Sequence, residues 1–222
     1  MQRRQIAREV VPLRRRKGIP LTCGVGIAVA VSMIPPTAPT ATAADACTQV
    51  ASHGYYDKSP VASTKFPGNL FINVAVMCLI NAERTKRGLS PVVDNPALTS
   101  AAQKHTNEAV RIKWWGKGAD PHVNPETHST VETRVSEAGY CPTPRRFYKY
   151  SEIAYTDGDG KGTPREAVNW WMNVSTGGHR EIILDPQLEQ IGIGTWGAPA
   201  DRNIIGEVNP GTYVVDFGTC HH

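Results

Sequence analysis

The hydrophobic pattern changes period along this chain. From Asn69, apolar residues at Phe71, Val74, Cys78 and Ala82 repeat at the spacing of one helix face, and Gly88 after Lys86-Arg87 is a C-terminal stop. A second helix starts at Asn95-Pro96, where proline suits the first turn, and buries Leu98, Ala101, Ala102, His105, Ala109 and Ile112. Ser129-Thr130-Val131-Glu132 has the capping-box form and opens a shorter helix that closes at Gly139. Thr163-Pro164-Arg165-Glu166 opens a fourth, which carries Trp170 and Trp171. Short β-rich runs fill the remainder: Tyr150 to Tyr155, Gln190 to Trp196, Arg202 to Val208 and Thr212 to Phe217. Helices first and strands last predict an α+β fold with an antiparallel sheet. Residues 44–68 hold Pro60, Pro67, Gly54 and Gly68 without sustained periodicity and read as an extended arm.

The N-terminus belongs to a different pattern. Arg14-Arg15-Arg16-Lys17, the short apolar run from Ile19 to Ile34, and the small-residue site Ala41-Thr42-Ala43 follow one another as in an export signal, so residues 1–43 are expected to be removed. The run is shorter than the ~20 residues that span a bilayer, and Pro35-Pro36 follows it. A secreted chain with no transmembrane segment after cleavage is the expectation. Cleavage also changes the charge. Seven of the 24 Lys and Arg and one of the 20 Asp and Glu lie in residues 1–43, which turns a formal +4 into −2 and leaves no electrostatic case for a nucleic-acid partner. The remaining 179 residues suit one domain. They keep Cys47, Cys78, Cys141 and Cys220, an even number that reads as two disulfides in an oxidising compartment. Of the three possible pairings, Cys47–Cys78 with Cys141–Cys220 is favoured, pinning the arm to the first helix and the chain end to a mid-chain loop.

The richest stretch runs from Trp170-Trp171-Met172-Asn173 through Gly177-Gly178-His179-Arg180 to Gln190-Ile191-Gly192-Ile193-Gly194. A double glycine delivers a histidine, and a glycine-alternating strand lets backbones approach closely. Together with Leu79-Ile80-Asn81-Ala82-Glu83-Arg84, Leu98 with Ala101-Ala102, and Tyr213-Val214-Val215-Asp216-Phe217-Gly218, it resembles the cysteine-rich secretory, antigen 5 and pathogenesis-related (CAP/SCP) family over about residues 69–218. The resemblance implies a CAP/SCP domain over 69–220, built as a three-layer α-β-α sandwich. It also implies a cavity lined by two histidines and acidic residues. Residue by residue, His179 takes the histidine of the Gly-His-Arg motif and His122 the earlier one, with His128 as its rival. Glu152 in Tyr150-Ser151-Glu152-Ile153-Ala154-Tyr155 takes the acidic position if its side of the strand faces the cavity, which a one-residue shift of register decides. The second family acid is missing at Asn173-Val174-Ser175.

His122, His179 and Glu152 are therefore the candidate metal set, with Zn²⁺ held weakly through neutral imidazoles and released below pH ~6.5. A non-catalytic exported module binding a metal, a lipid or sterol, or a cell-envelope component is the leading functional reading. The alternative is a secreted hydrolase or peptidase using the His179 cavity, with Ser151 or Ser175 as nucleophile. Neither a Gly-x-Ser-x-Gly elbow nor a His-Glu-x-x-His helix occurs. Trp170 and Trp171 are read as core and cavity wall, and Arg180 and Glu181 as structural.

Overall fold

A computed structural model describes residues 42–62, 68–205 and 208–222; the expected signal segment up to residue 41 lies outside them. The helices are α1 (Ala43–Ser52), α2 (Leu70–Thr85), α3 (Pro96–Ile112), α4 (Val131–Glu137), α5 (Pro164–Asn169) and α6 (His179–Ile183). The strands are β1 (Val93–Asp94), β2 (Phe147–Asp157), β3 (Gln190–Trp196) and β4 (Gly211–His221). They form one sheet in the order β1-β3-β4-β2, antiparallel except for the short β1–β3 pair. One face takes Ile72, Val76 and Ile80 of α2 and Trp171 against Ile153, Ile193 and Val215, which form the main core. The other takes α3 and α4, with Ala102 and Ala109 against Ala154 and Val214, and Leu98 against Val135 and Tyr140. Helices on both faces of a largely antiparallel sheet make the α+β sandwich expected.

The Ile-Gly-Ile-Gly strand explains how tightly α3 sits. A Cβ on Gly192 would lie 2.1 Å from the backbone of Leu98 and Thr99, and one on Gly194 would lie 2.5 Å from the backbone of Ala102. Only hydrogen fits there, so α3 rests directly on β3. Asn95 caps α3 by accepting from the amides of Ala97 and Leu98, with Pro96 in the first turn.

Three expectations need correction. Residues 43–52 are a helix, closed at its start by a capping box in which Thr42 accepts from the Asp45 amide and Asp45 accepts in return. On α2 the face toward the sheet is Ile72, Val76 and Ile80, while Phe71 and Ala82 are exposed. Val74 and Cys78 instead meet Cys47 and Val50 of α1, because this helix is apolar on two sides and is covered on both. Residues 202–205 form no strand: the Asp201 carboxylate accepts from the amide and side chain of Asn203, and Ile205 is left 91% exposed. β-Rich composition alone does not make a strand where local side-chain hydrogen bonds turn the backbone. The favoured pairing is present in full, with Cys47–Cys78 at 5.6 Å and Cys141–Cys220 at 5.4 Å between Cα atoms. No helix among the described residues is long and apolar enough to cross a membrane.

Candidate functional site

β2 is the outer strand of the sheet, and Glu152 projects from it on the α3 side, opposite Asp216 of β4. The carboxylate is buried and held from two directions. His122 Nδ1 donates to Oε1 at 2.7 Å, and the Arg134 guanidinium of α4 donates to Oε2 at 2.7 Å. Arg134 also donates to the carbonyls of His122 and Ser129, both at 3.0 Å, so one buried cation fixes the acid and the loop that carries the histidine. Asn124 stiffens that loop further, accepting from the amides of Glu126 and Thr127 and donating to Glu108. His128 is exposed and takes no part. The register ambiguity thus resolves with Glu152 inside the cluster and His122 as the histidine bound to it.

Sequence reasoning missed three members of this cluster. His105 of α3 is fully buried, donates from Nε2 to the Pro121 carbonyl at 2.8 Å, and lies 3.9 Å from Glu152. Arg134 and Asp216 are the others. Burial alone pushes the Glu152 carboxyl up, but the His122 hydrogen bond and the surrounding basic groups, Arg134 among them, bring it below the usual range. Burial pushes Asp216 the other way, well above the usual range, and the neighbouring Glu152 charge adds to the shift. Neither Asp216 oxygen finds a donor among the described residues, which suits a protonated acid that donates to Glu152. Burial likewise lowers His105 and keeps it neutral. Arg134 and Glu152 form the buried charged pair, flanked by Asp216 and His105. The available signal was a lone acid in the apolar run Tyr213 to Phe217.

His179 comes from the opposite layer. A widened π-turn over Trp170–Val174 ends with the Ser175 amide donating to the Trp170 carbonyl at 2.8 Å, and Gly178 at φ 82° then starts α6 at His179. Arg180 donates to the Met172 carbonyl at 2.7 Å, the structural role expected of it. The His179 ring packs on Trp170 with centroids 5.2 Å apart, and its Nδ1 lies 2.6 Å from Ser175 Oγ. Half-burial lowers His179 to about 4, with the His122 charge acting in the same direction, so near neutral pH it is a neutral donor. Arg84 of α2 ties the end of α6 and the segment after it to the loop that follows α2, donating to the carbonyls of Ser90, Ile183, Asp185 and Leu188.

The donor set tests the metal reading. Both Glu152 oxygens are engaged, and among the described residues no group of three or more His, Cys, Asp or Glu is placed to hold an ion. Glu152 therefore orients His122 from behind and is not itself free to ligate, so only the two imidazoles remain of the expected metal set.

Comparison with known proteins finds bacterial relatives. An uncharacterized Bacillus subtilis (strain 168) protein, YkwD, is 29% identical over 119 residues, 54% of this chain and 40% of its own length. This chain therefore spans about two fifths of that relative. An extracellular SCP-domain protein from Bacillus anthracis str. Ames aligns with a TM-score of 0.45 at 16% identity, over 66% of this chain and 39% of that one. An outer surface protein from Borrelia burgdorferi aligns with a TM-score of 0.45 at 17% identity, over 64% of this chain and 86% of that one. The profile of the Cysteine-rich secretory protein family matches residues 78–217, from the disulfide cysteine of α2 into β4 and including all the residues of the buried cluster, and the chain belongs to that family.

Proposed function

We propose that this chain is an exported, non-catalytic ligand-binding module that takes a divalent ion such as Zn²⁺ between His122 and His179. The observation that carries the reading is the full engagement of Glu152 by His122 and Arg134. A carboxylate so held orients an imidazole and is not available as a general base. His122 donates its Nδ1 proton to Glu152, which leaves Nε2 as the free nitrogen; His179 turns Nδ1 to Ser175 and leaves Nε2 as well. The bound ion would supply a positive anchor for an anionic or carbonyl group of a cell-envelope component. Calorimetry with Zn²⁺ on the disulfide-intact chain tests this. Weak one-site uptake is expected, lost in His122→Ala and His179→Ala and weakened about 10–100-fold in Glu152→Gln. Uptake that ignores both histidines overturns the reading.

The hydrolase reading has one observation in its favour, the 2.6 Å contact between Ser175 Oγ and His179 Nδ1. Ser175 Oγ also accepts from the Gly177 amide at 3.1 Å, and among the described residues no carboxylate bonds to His179 to orient it as a base. These contacts describe a turn that holds the imidazole. Peptide cleavage abolished by Ser175→Ala would reverse the preference.

A further inference from the structure

A groove of about 260 Å³ lies beside the C-terminal half of β2, where the strand has no neighbour on its outer side. Its walls include Trp115, Tyr155 and Trp170, with Pro121, Ala154 and Asp157. Trp115 belongs to the layer of α3, whereas Tyr155 and Trp170 belong to the opposite core, so the groove bridges both faces across the strand edge. Tyr155 and Trp170 form one side, their centroids 5.6 Å apart and inclined at 50°. No Lys, Arg or His lines the groove.

Asp157 decides what such a groove can hold. One carboxylate oxygen accepts from the Gly158 amide at 2.7 Å. The other has a long 3.3 Å contact with the Tyr155 hydroxyl, whose single proton is better placed on the Lys161 carbonyl at 2.9 Å. Among the described residues no cation pairs with Asp157, so its charge is uncompensated. A purely apolar ligand would strip water from that carboxylate and give nothing back. A metal ion would find one carboxylate where it needs several donors. Three aromatic residues and an acid in one lining attract an organic cation instead. The volume is just below the ~300 Å³ at which pockets for drug-sized ligands begin, which suits a head group.

We propose that this groove binds an alkylammonium group, a quaternary or methylated ammonium seated among Trp115, Tyr155 and Trp170 with its charge toward Asp157. Neither His122 nor His179 lines the groove, although Trp170, one of its walls, also packs on the His179 ring.

The test is tryptophan fluorescence and calorimetry on the disulfide-intact chain, using choline and its uncharged carbon isostere 3,3-dimethylbutan-1-ol. Choline is expected to saturate the signal and the isostere to leave it unchanged. Asp157→Asn, which keeps the oxygen that accepts from Gly158, should weaken choline about tenfold and leave Zn²⁺ uptake and circular dichroism as in the parent. Trp170→Phe, with its weaker ring face, should also weaken choline. The proposal is overturned if choline does not bind, if the isostere binds equally well, if Asp157→Asn binds choline like the parent, or if N-acetylglucosamine binds more tightly than choline.

Discussion

Glu152 and Asp216 occupy paired positions on neighbouring strands, and their different partners give them opposite charge states. Glu152 has Arg134 and His122, whereas Asp216 has only Glu152 as a polar partner and retains its proton. Substitutions should therefore split sharply. Glu152→Gln leaves the Arg134 charge buried beside a neutral amide and should cost about 3–5 kcal/mol in urea unfolding. Asp216→Asn replaces a protonated acid with an amide of the same shape and donor role, and should be neutral or stabilising near pH 7. A large loss in Asp216→Asn would show that the acid is ionised in the fold. His179 adds a pH dependence of known sign. Its folded value is depressed to about 4 from an ordinary 6.5, so the unfolded chain binds the extra proton and stability falls as pH drops through that window. A shift of this size corresponds to about 3 kcal/mol, which solvent screening of a half-exposed ring reduces to about 1–2 kcal/mol. Urea midpoints at about pH 7 and pH 4.5 should converge between the parent and His179→Gln, and a constant difference would contradict the burial argument.

At the scale of elements, the glycine alternation in β3 was legible because its physical reason is local. A missing Cβ at every second position announces a backbone lying on that face, and α3 is that backbone. Gly194→Ala should lift α3, costing about 1–3 kcal/mol or more by overpacking. Because α3 carries His105 and leads into the His122 loop, Zn²⁺ uptake should weaken with it. A Gly194→Ala chain with unchanged midpoint and uptake would mean that α3 tolerates displacement. Where the sequence misled, the cause was a partner distant along the chain. The wrong face was assigned to α2 because α1 covers Val74 and Cys78, a packing partner that periodicity cannot reveal. Arg202 to Val208 has strand composition, yet the Asp201 carboxylate captures the Asn203 amide and turns the chain at the start of that run. Arg84 and Arg134 escaped notice because an arginine in a helix ordinarily faces water, and only the fold shows the carbonyls and carboxylate that draw them inside. The two site histidines were recognisable through the Gly-His-Arg match and the resemblance built on it, whereas the roles of His105 and Asp216 depend on contacts across elements.

For the whole molecule, the decisive join is between the N-terminal segment and the domain. The expected cleavage after Ala43 falls inside the first turn of α1 and would remove Thr42, the residue that caps it. Loss of such a cap costs about 1 kcal/mol, and the new ammonium at Ala44 would oppose the positive end of the helix. Two features offset this. Asp45 remains in the first turn, and Cys47–Cys78 anchors the helix to α2 where Val50 packs on Ala75 and Cys78. That bond closes a 31-residue separation and Cys141–Cys220 one of 79, so chain entropy assigns about 4 kcal/mol to each. N-terminal sequencing of chain recovered from culture medium should begin at or near Ala44, and thiol titration after denaturation without reduction should find no free cysteine. The double variant Cys47→Ser with Cys78→Ser should then lose protection from amide exchange in α1 first, while β2 to β4 remain protected, because the first disulfide holds a peripheral helix and the sheet has its own core. If chain is recovered only in membranes with residues 1–43 still attached, the export argument fails. If α1 stays as protected as the sheet in the double variant, packing rather than the disulfide secures this end of the domain.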